Sequence, residues 1–168
     1  MAAAVRIRLR FDGPQASPAM LVACAPVDVL SLDWPLELSG VLLVKSKRAF
    51  IGMNRRHSSP RRHFSFWHEV GHYLLHAPRG LMRCASAPAW GRFHTLEREA
   101  NLFASRLTMP EDWVLRLLPE SATLAALARR FHVTPSAMER RLREVAAHGS
   151  LNPSACSPLP LSLRVPPH

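Results

Sequence analysis

Two histidines stand four residues apart in the stretch from Phe64 to His76, namely His68 and His72, and Glu69 follows the first of them directly. On a helix, positions i and i+4 share one face about 6 Å apart along the axis, so both imidazoles can reach a single metal ion. A carboxylate placed just after the first ligand projects beside that metal, where it can take a proton from a water molecule. The pattern His-Glu-x-x-His therefore points to hydrolysis at zinc. With nine histidines in the chain it can also arise by chance. Its flanks add the missing specificity. Ser58-Ser59-Pro60 supplies a hydroxyl cap and a proline for the first helical turn. Phe64, Trp67, Gly71 and Leu74 or Leu75 fall at helical spacing and form a core stripe beside the His68, Glu69, His72 face. These signals predict a metal-binding helix over residues 60–77, stopped by Pro78-Arg79-Gly80.

A catalytic zinc needs a third protein ligand and one open position. Three residues compete for the role. His76 continues the face of His72, but ligands at i, i+4 and i+8 would span about 12 Å, too far for metal bonds near ~2 Å. His76 is then a support behind a ligand or a packed histidine at the helix end. The other two lie in Glu97-Arg98-Glu99-Ala100-Asn101, on a second helix expected over Leu96–Leu107 with Thr95 as its cap. Glu97 and Asn101 share a face, while Glu99 points about 160° away, toward solvent by periodicity. Glu97 can close the site, with Asn101 orienting a ligand imidazole. Equally, Glu97 can be a first-turn acid favoured by the helix dipole.

Other elements must hold these two helices. Val5, Ile7, Leu9 and Phe11 alternate with three arginines and read as a strand, the alternative being a disordered basic arm. Residues 14–40 hold many prolines and no clean period, so they read as irregular with short extended pieces. Val41–Val44 and Ala49–Met53, joined by Lys45-Ser46-Lys47-Arg48, predict a hairpin. Residues 78–93 read as a loop between the two site helices, anchored by Trp90 and Phe93. A short helix is expected from Glu111 to Leu118. A tight helical pair follows, Ala122–Phe131 capped by Ser121 and Ser136–Ala147 started by Thr134-Pro135.

At 168 residues the chain suits one domain with a small appendage, and its 48% apolar content can fill a core. The formal charge of +10 is carried almost wholly by arginine. It favours an acidic partner such as nucleic acid, or reflects a compositional bias of the coding sequence. Cys24, Cys84 and Cys156 form no CxxC pair and read as reduced thiols of a cytoplasmic protein. The prolines and acids within residues 19–44 exclude a membrane span there.

From Leu38 to Val145 the sequence resembles the ImmA/IrrE family of zinc metallo-endopeptidases. Its pieces are Leu38-Ser39-Gly40, Ile51-Gly52-Met53-Asn54, Arg61–His76 around the HExxH pattern, and Glu97-x-x-x-Ala100-Asn101-x-Phe103-Ala104 running into Met109-Pro110. Leu127–Met138 and Arg141-Leu142 complete them. The resemblance implies a zincin-like fold of the gluzincin type: His68, His72 and Glu97 on the metal, Glu69 as general base, Asn101 and His76 in support. It also implies cleavage of a helix-turn-helix repressor, with relief of repression in mobile elements or stress responses. The chain departs from the family at Trp67, where a small residue is usual. It also shows no recognisable first helix before Gly40 and no sensor domain after the helical pair.

The expected fold is thus α+β. A zincin-like core with a small sheet and two metal-binding helices occupies residues 38–118. An N-terminal segment over 1–37 precedes it. A helix-turn-helix-like pair over 119–148 and a disordered Pro-rich tail over 149–168 follow. The expected function is a zinc endopeptidase. Its rivals are a DNA-binding regulator using Arg129, Arg130, Arg140, Arg141 and Arg143 around a structural zinc, or an inactive interaction module. Retention of Glu69 favours the enzyme, because a structural zinc closes with a fourth ligand and needs no base.

Overall fold

The computed structural model describes residues 1–76, 80–85 and 92–149, with the backbone alone over 80–85 and 92–93. Helices α1 (Ala2–Arg8) and α2 (Pro18–Cys24) lead into strand β1 (Val27–Leu32). Strands β2 (Leu38–Lys45) and β3 (Arg48–Asn54) form the predicted hairpin. Its two central residues, Ser46 and Lys47, have φ of 51° and 63°. Left-handed φ at both positions suits a two-residue turn whose twist matches the strands. β1 lies parallel to β3, and β4 (Gly80–Ala85) lies antiparallel to β2, giving one sheet in the order β1-β3-β2-β4.

Helix α3 (Ser59–His76) crosses this sheet and packs most extensively on α4 (Arg92–Thr108). Leu42 and Ile51 from the sheet, Trp67 and Val70 from α3, and Ala104 and Leu107 from α4 are all fully buried in one core. Removing such side chains from water is the main source of stability in this half of the molecule. Gly71 sets how closely the two helices approach. A Cβ there would stand 3.0 Å from the Phe103 ring and 3.2 Å from the Ala100 backbone.

Three helices follow among the described residues: α5 (Glu111–Leu117), α6 (Leu124–Arg130) and α7 (Pro135–Ala147). Leu127, Ala128 and Phe131 meet Met138 and Leu142 in a second core. The cap of α6 is Thr123, whose hydroxyl accepts the Ala126 amide at 3.1 Å, rather than Ser121, which bonds the Leu117 carbonyl. Thr134 caps α7 in the same way, accepting from Ala137. The pair rests on the half built from the sheet, α3 and α4. Phe64 of α3 packs against both cores, His63 meets the His132 carbonyl at 3.0 Å, and the buried Arg141 donates to the Met109 carbonyl at 2.8 Å.

Three expectations are corrected. Residues 5–11 are not a strand, because α1 covers their first half. Its inward positions are Ala2, Arg6 and Leu9, spaced as a helix requires, while Ile7 is 79% exposed. Arg6 is buried since its guanidinium donates to the Leu107 carbonyl at 2.8 Å and to Phe11 and Gly13 carbonyls. Within residues 14–40, β1 is one of the extended pieces expected, but Pro18–Cys24 is a helix with proline in its first turn. Part of the supposed loop over 78–93 is β4, whose backbone finds its partners on β2. Trp90, Phe93 and the tail from 150 onward lie outside the residues whose side chains are described. No described helix is long and apolar enough to cross a membrane.

Candidate active site

The face of α3 that carries His68 and His72 looks toward α4, and the close approach at Gly71 brings Glu97 across to meet it. The Nε2 atoms of the two histidines are 3.0 Å apart. Glu97 places Oε2 3.2 Å from His68 Nε2 and Oε1 3.2 Å from His72 Nε2. Among the described residues, these three form the group able to hold a metal ion. Burial pushes the Glu97 carboxyl up, but with no metal bound protonated His68 and His72 rings donate to it, outweigh burial and hold its pKa at about 2. It is a carboxylate at neutral pH.

The outer ring atoms decide where the lone pairs point. His68 Nδ1 lies 3.1 Å from Asn101 Oδ1, an acceptor, so Nδ1 carries the proton and Nε2 is free to ligate. His72 Nδ1 faces His76 Nδ1 at 3.0 Å, and His76 Nε2 faces the Glu99 carboxylate at 3.0 Å. A carboxylate only accepts, so His76 donates to Glu99 from Nε2 and accepts from His72 at Nδ1. His72 is left with its Nε2 lone pair toward Glu97. Two imidazole lone pairs and a carboxylate directed at one small volume repel one another unless a cation sits among them. Their separations of 3.0–3.2 Å approach the ~3.3 Å edge of a tetrahedron with metal bonds near ~2.05 Å. The donor set fits a divalent metal.

Glu69 is fully buried beside this group. Its carboxylate lies against the backbone of Gly40 on β2, so closely that a Cβ at Gly40 would fall within it. Gly40 is thus a site residue by omission. The group opens into a cleft of about 1180 Å³ walled by α3, α4 and α7. His68, Glu69, Glu97 and Asn101 all line it, and so does the exposed His94. Tyr73 packs toward the core, as its helical position implies.

All six residues singled out in the sequence are brought together: His68, Glu69, His72, His76, Glu97 and Asn101. Glu99 was read as solvent-facing. Its side chain is half exposed, yet its carboxylate reaches His76. Sequence reasoning also missed the contribution of α7 to the cleft, which no spacing within one helix reveals.

The family model of the IrrE N-terminal-like domain matches residues 23–143. The chain belongs to this family. It is a metallopeptidase of the ImmA/IrrE type, and its substrate is accordingly protein or peptide. Among curated proteins, none is similar enough to the chain to count as a match. The ImmA/IrrE match covers the sheet, both site helices and most of the α6–α7 pair, whereas α1 and Ala16 precede it.

The chain of contacts behind His72 carries a prediction of its own. Asn101→Ala and His76→Ala should each weaken metal affinity by about 10- to 100-fold with stoichiometry intact, as read by chelator competition. Glu99→Ala should have a smaller effect in the same direction, because its carboxylate is half in water. Unchanged affinity in His76→Ala would show that His72 needs no support from behind.

Proposed function

We propose that this protein is a cytoplasmic zinc-dependent endopeptidase that cleaves a helix-turn-helix repressor and so relieves transcriptional repression. The observation that carries the chemistry is the convergence of His68, His72 and Glu97 with a separate buried acid, Glu69, at the same cleft wall. Three protein ligands leave a position open, as a catalytic site of the gluzincin type requires. Bound there, zinc supplies Lewis acidity toward a peptide carbonyl and a water molecule. The chain's own groups do the rest. Asn101 and the His76–Glu99 pair hold the ligand imidazoles in the ligating tautomer. Glu69 receives the proton of the attacking water on its carboxylate and passes it to the departing amine.

The substrate class rests on the family resemblance together with the shape of the site. Glu97 remains 27% exposed on its side chain, so the centre is open to a polypeptide. The rival reading is a DNA-binding regulator built on α6 and α7, supported by the exposed Arg129, Arg130 and Arg143. Against it, Arg141 is buried and occupied with Met109, Glu144 and Glu111, and α7 gives part of its surface to the cleft.

The test mixes the zinc-loaded protein with a helix-turn-helix repressor and follows fragments by mass spectrometry, with Glu69→Gln as the blank. A single cut in the repressor, absent with the blank, is the expected result. Indiscriminate digestion of casein and repressor alike would sink the idea of a dedicated repressor protease. No cleavage of any protein, with zinc bound, would move the weight to the regulator reading.

A further inference from the structure

Resting on the peptidase reading above, we propose that the cleft selects acidic peptide segments through Arg98, Arg106 and Arg140. Apart from Arg61, which donates to Ser39, the acids and arginines in the cleft sort into two groups. Four acids line it, and three of them are paired: Glu97 with the two histidines, Glu99 with His76, and Glu144 with Arg141 and Ser105, while Glu69 is fully buried against Gly40 beside the metal ligands. Arg98 and Arg106 from α4 and Arg140 from α7 line the same cleft, are exposed, and make no ion pair among the described residues. Nor can another part of the chain neutralise them with an acidic side chain. All twelve Asp and Glu residues lie within the described positions, and none falls in 77–91 or 150–168.

Three uncompensated guanidiniums on facing walls, in a concave site next to a peptide-cutting centre, complement carboxylates of a bound chain. Arg98 adjoins the metal ligand Glu97, so it meets a side chain close to the bond that is cut. Arg106 stands eight residues further along α4, about 12 Å away along the axis. An extended peptide advances ~3.3 Å per residue, so a second acid three or four residues beyond the first meets Arg106. Arg140 closes over the same stretch from α7. The preferred substrate carries two acidic residues at that spacing on one side of the scissile bond.

Binding can be read without turnover, on the zinc-loaded Glu69→Gln protein, by fluorescence anisotropy. The probes are a labelled peptide with two glutamates at this spacing, its glutamine and lysine counterparts, and a single-stranded oligonucleotide with the charge of the glutamate peptide. The acidic peptide should bind about tenfold more tightly than the glutamine peptide, less so at high salt. That preference should vanish in the triple variant R98Q/R106Q/R140Q and reverse toward a lysine peptide in R98E/R140E. Wild-type cleavage of a random peptide library should show the same acidic enrichment. Equal binding of acidic and neutral peptides, or tighter binding of the oligonucleotide through the same arginines, overturns the proposal. The two readings fail separately. Library cleavage without acidic enrichment leaves the peptidase standing and removes the arginine selection. Acid-selective binding with no cleavage by wild type does the reverse.

Discussion

Glu69→Gln is expected to lower peptide hydrolysis by at least about 10²- to 10⁴-fold while leaving one metal ion bound per chain. The substitution is nearly isosteric, and Glu69 is buried against the Gly40 backbone, so the shape of the site is kept. What is lost is the capacity to accept a proton, since a glutamine amide has no basic oxygen at neutral pH. The metal should remain because His68, His72 and Glu97 already supply three converging donors. Removing one of these, as in His68→Ala or His72→Ala, should release it instead. Metal content by atomic emission and turnover of a cleavable peptide separate the two outcomes. Metal loss in Glu69→Gln equal to that in His68→Ala would show Glu69 to be a ligand. Undiminished turnover would remove it from proton transfer altogether.

The parts of the site that were legible in the sequence are those governed by one helix at a time. His68, Glu69 and His72 follow from i, i+4 spacing, and α3, Ser59–His76, begins and ends within one residue of the expected range 60–77. Glu97 and Asn101 are again four apart on α4, so their common face needed no knowledge of the fold. Glu99 was misjudged because periodicity describes a face of α4 and not what α3 brings near it. His76, at the very end of α3, extends far enough to collect that carboxylate. The N-terminal error has a different origin. Alternation of Val5, Ile7, Leu9 and Phe11 imitates a strand, whereas the true inward residue Arg6 is charged and escapes any apolar count. It is tolerated in the core only because carbonyl groups of Leu107, Phe11 and Gly13 satisfy it. β4 escaped for a third reason. Flanked by Pro78 and Pro88, it has little local signature, and its pairing with β2 is a tertiary fact.

Trp67→Ala should cost about 3–5 kcal/mol of folding stability and lower the unfolding midpoint by roughly 10–15 °C. Trp67 is the largest fully buried side chain among the described residues, with its ring edge-on to Phe11 at 5.8 Å and to Phe66 at 5.1 Å. Its indole N–H donates to the Ala16 carbonyl at 3.1 Å, and that carbonyl also meets His63 at 2.7 Å. Phe11 and Ala16 both precede residue 23, where the family match begins. The indole is therefore packed against a segment the match does not include. Truncation would leave a cavity between α3 and that segment, and surrounding helices fixed by the sheet can close it only in part. Because Trp67 precedes His68, the loosened segment should also lower metal affinity, though less than loss of a ligand would. A double-mutant cycle with Phe11→Ala isolates the contact: the two losses should be less than additive, since either change empties the same interface. Thermal or denaturant unfolding of the four proteins gives the values. Additive losses, or a Trp67→Ala protein within about 1 kcal/mol of the parent, would show that the N-terminal segment is held by other contacts, Arg6 foremost.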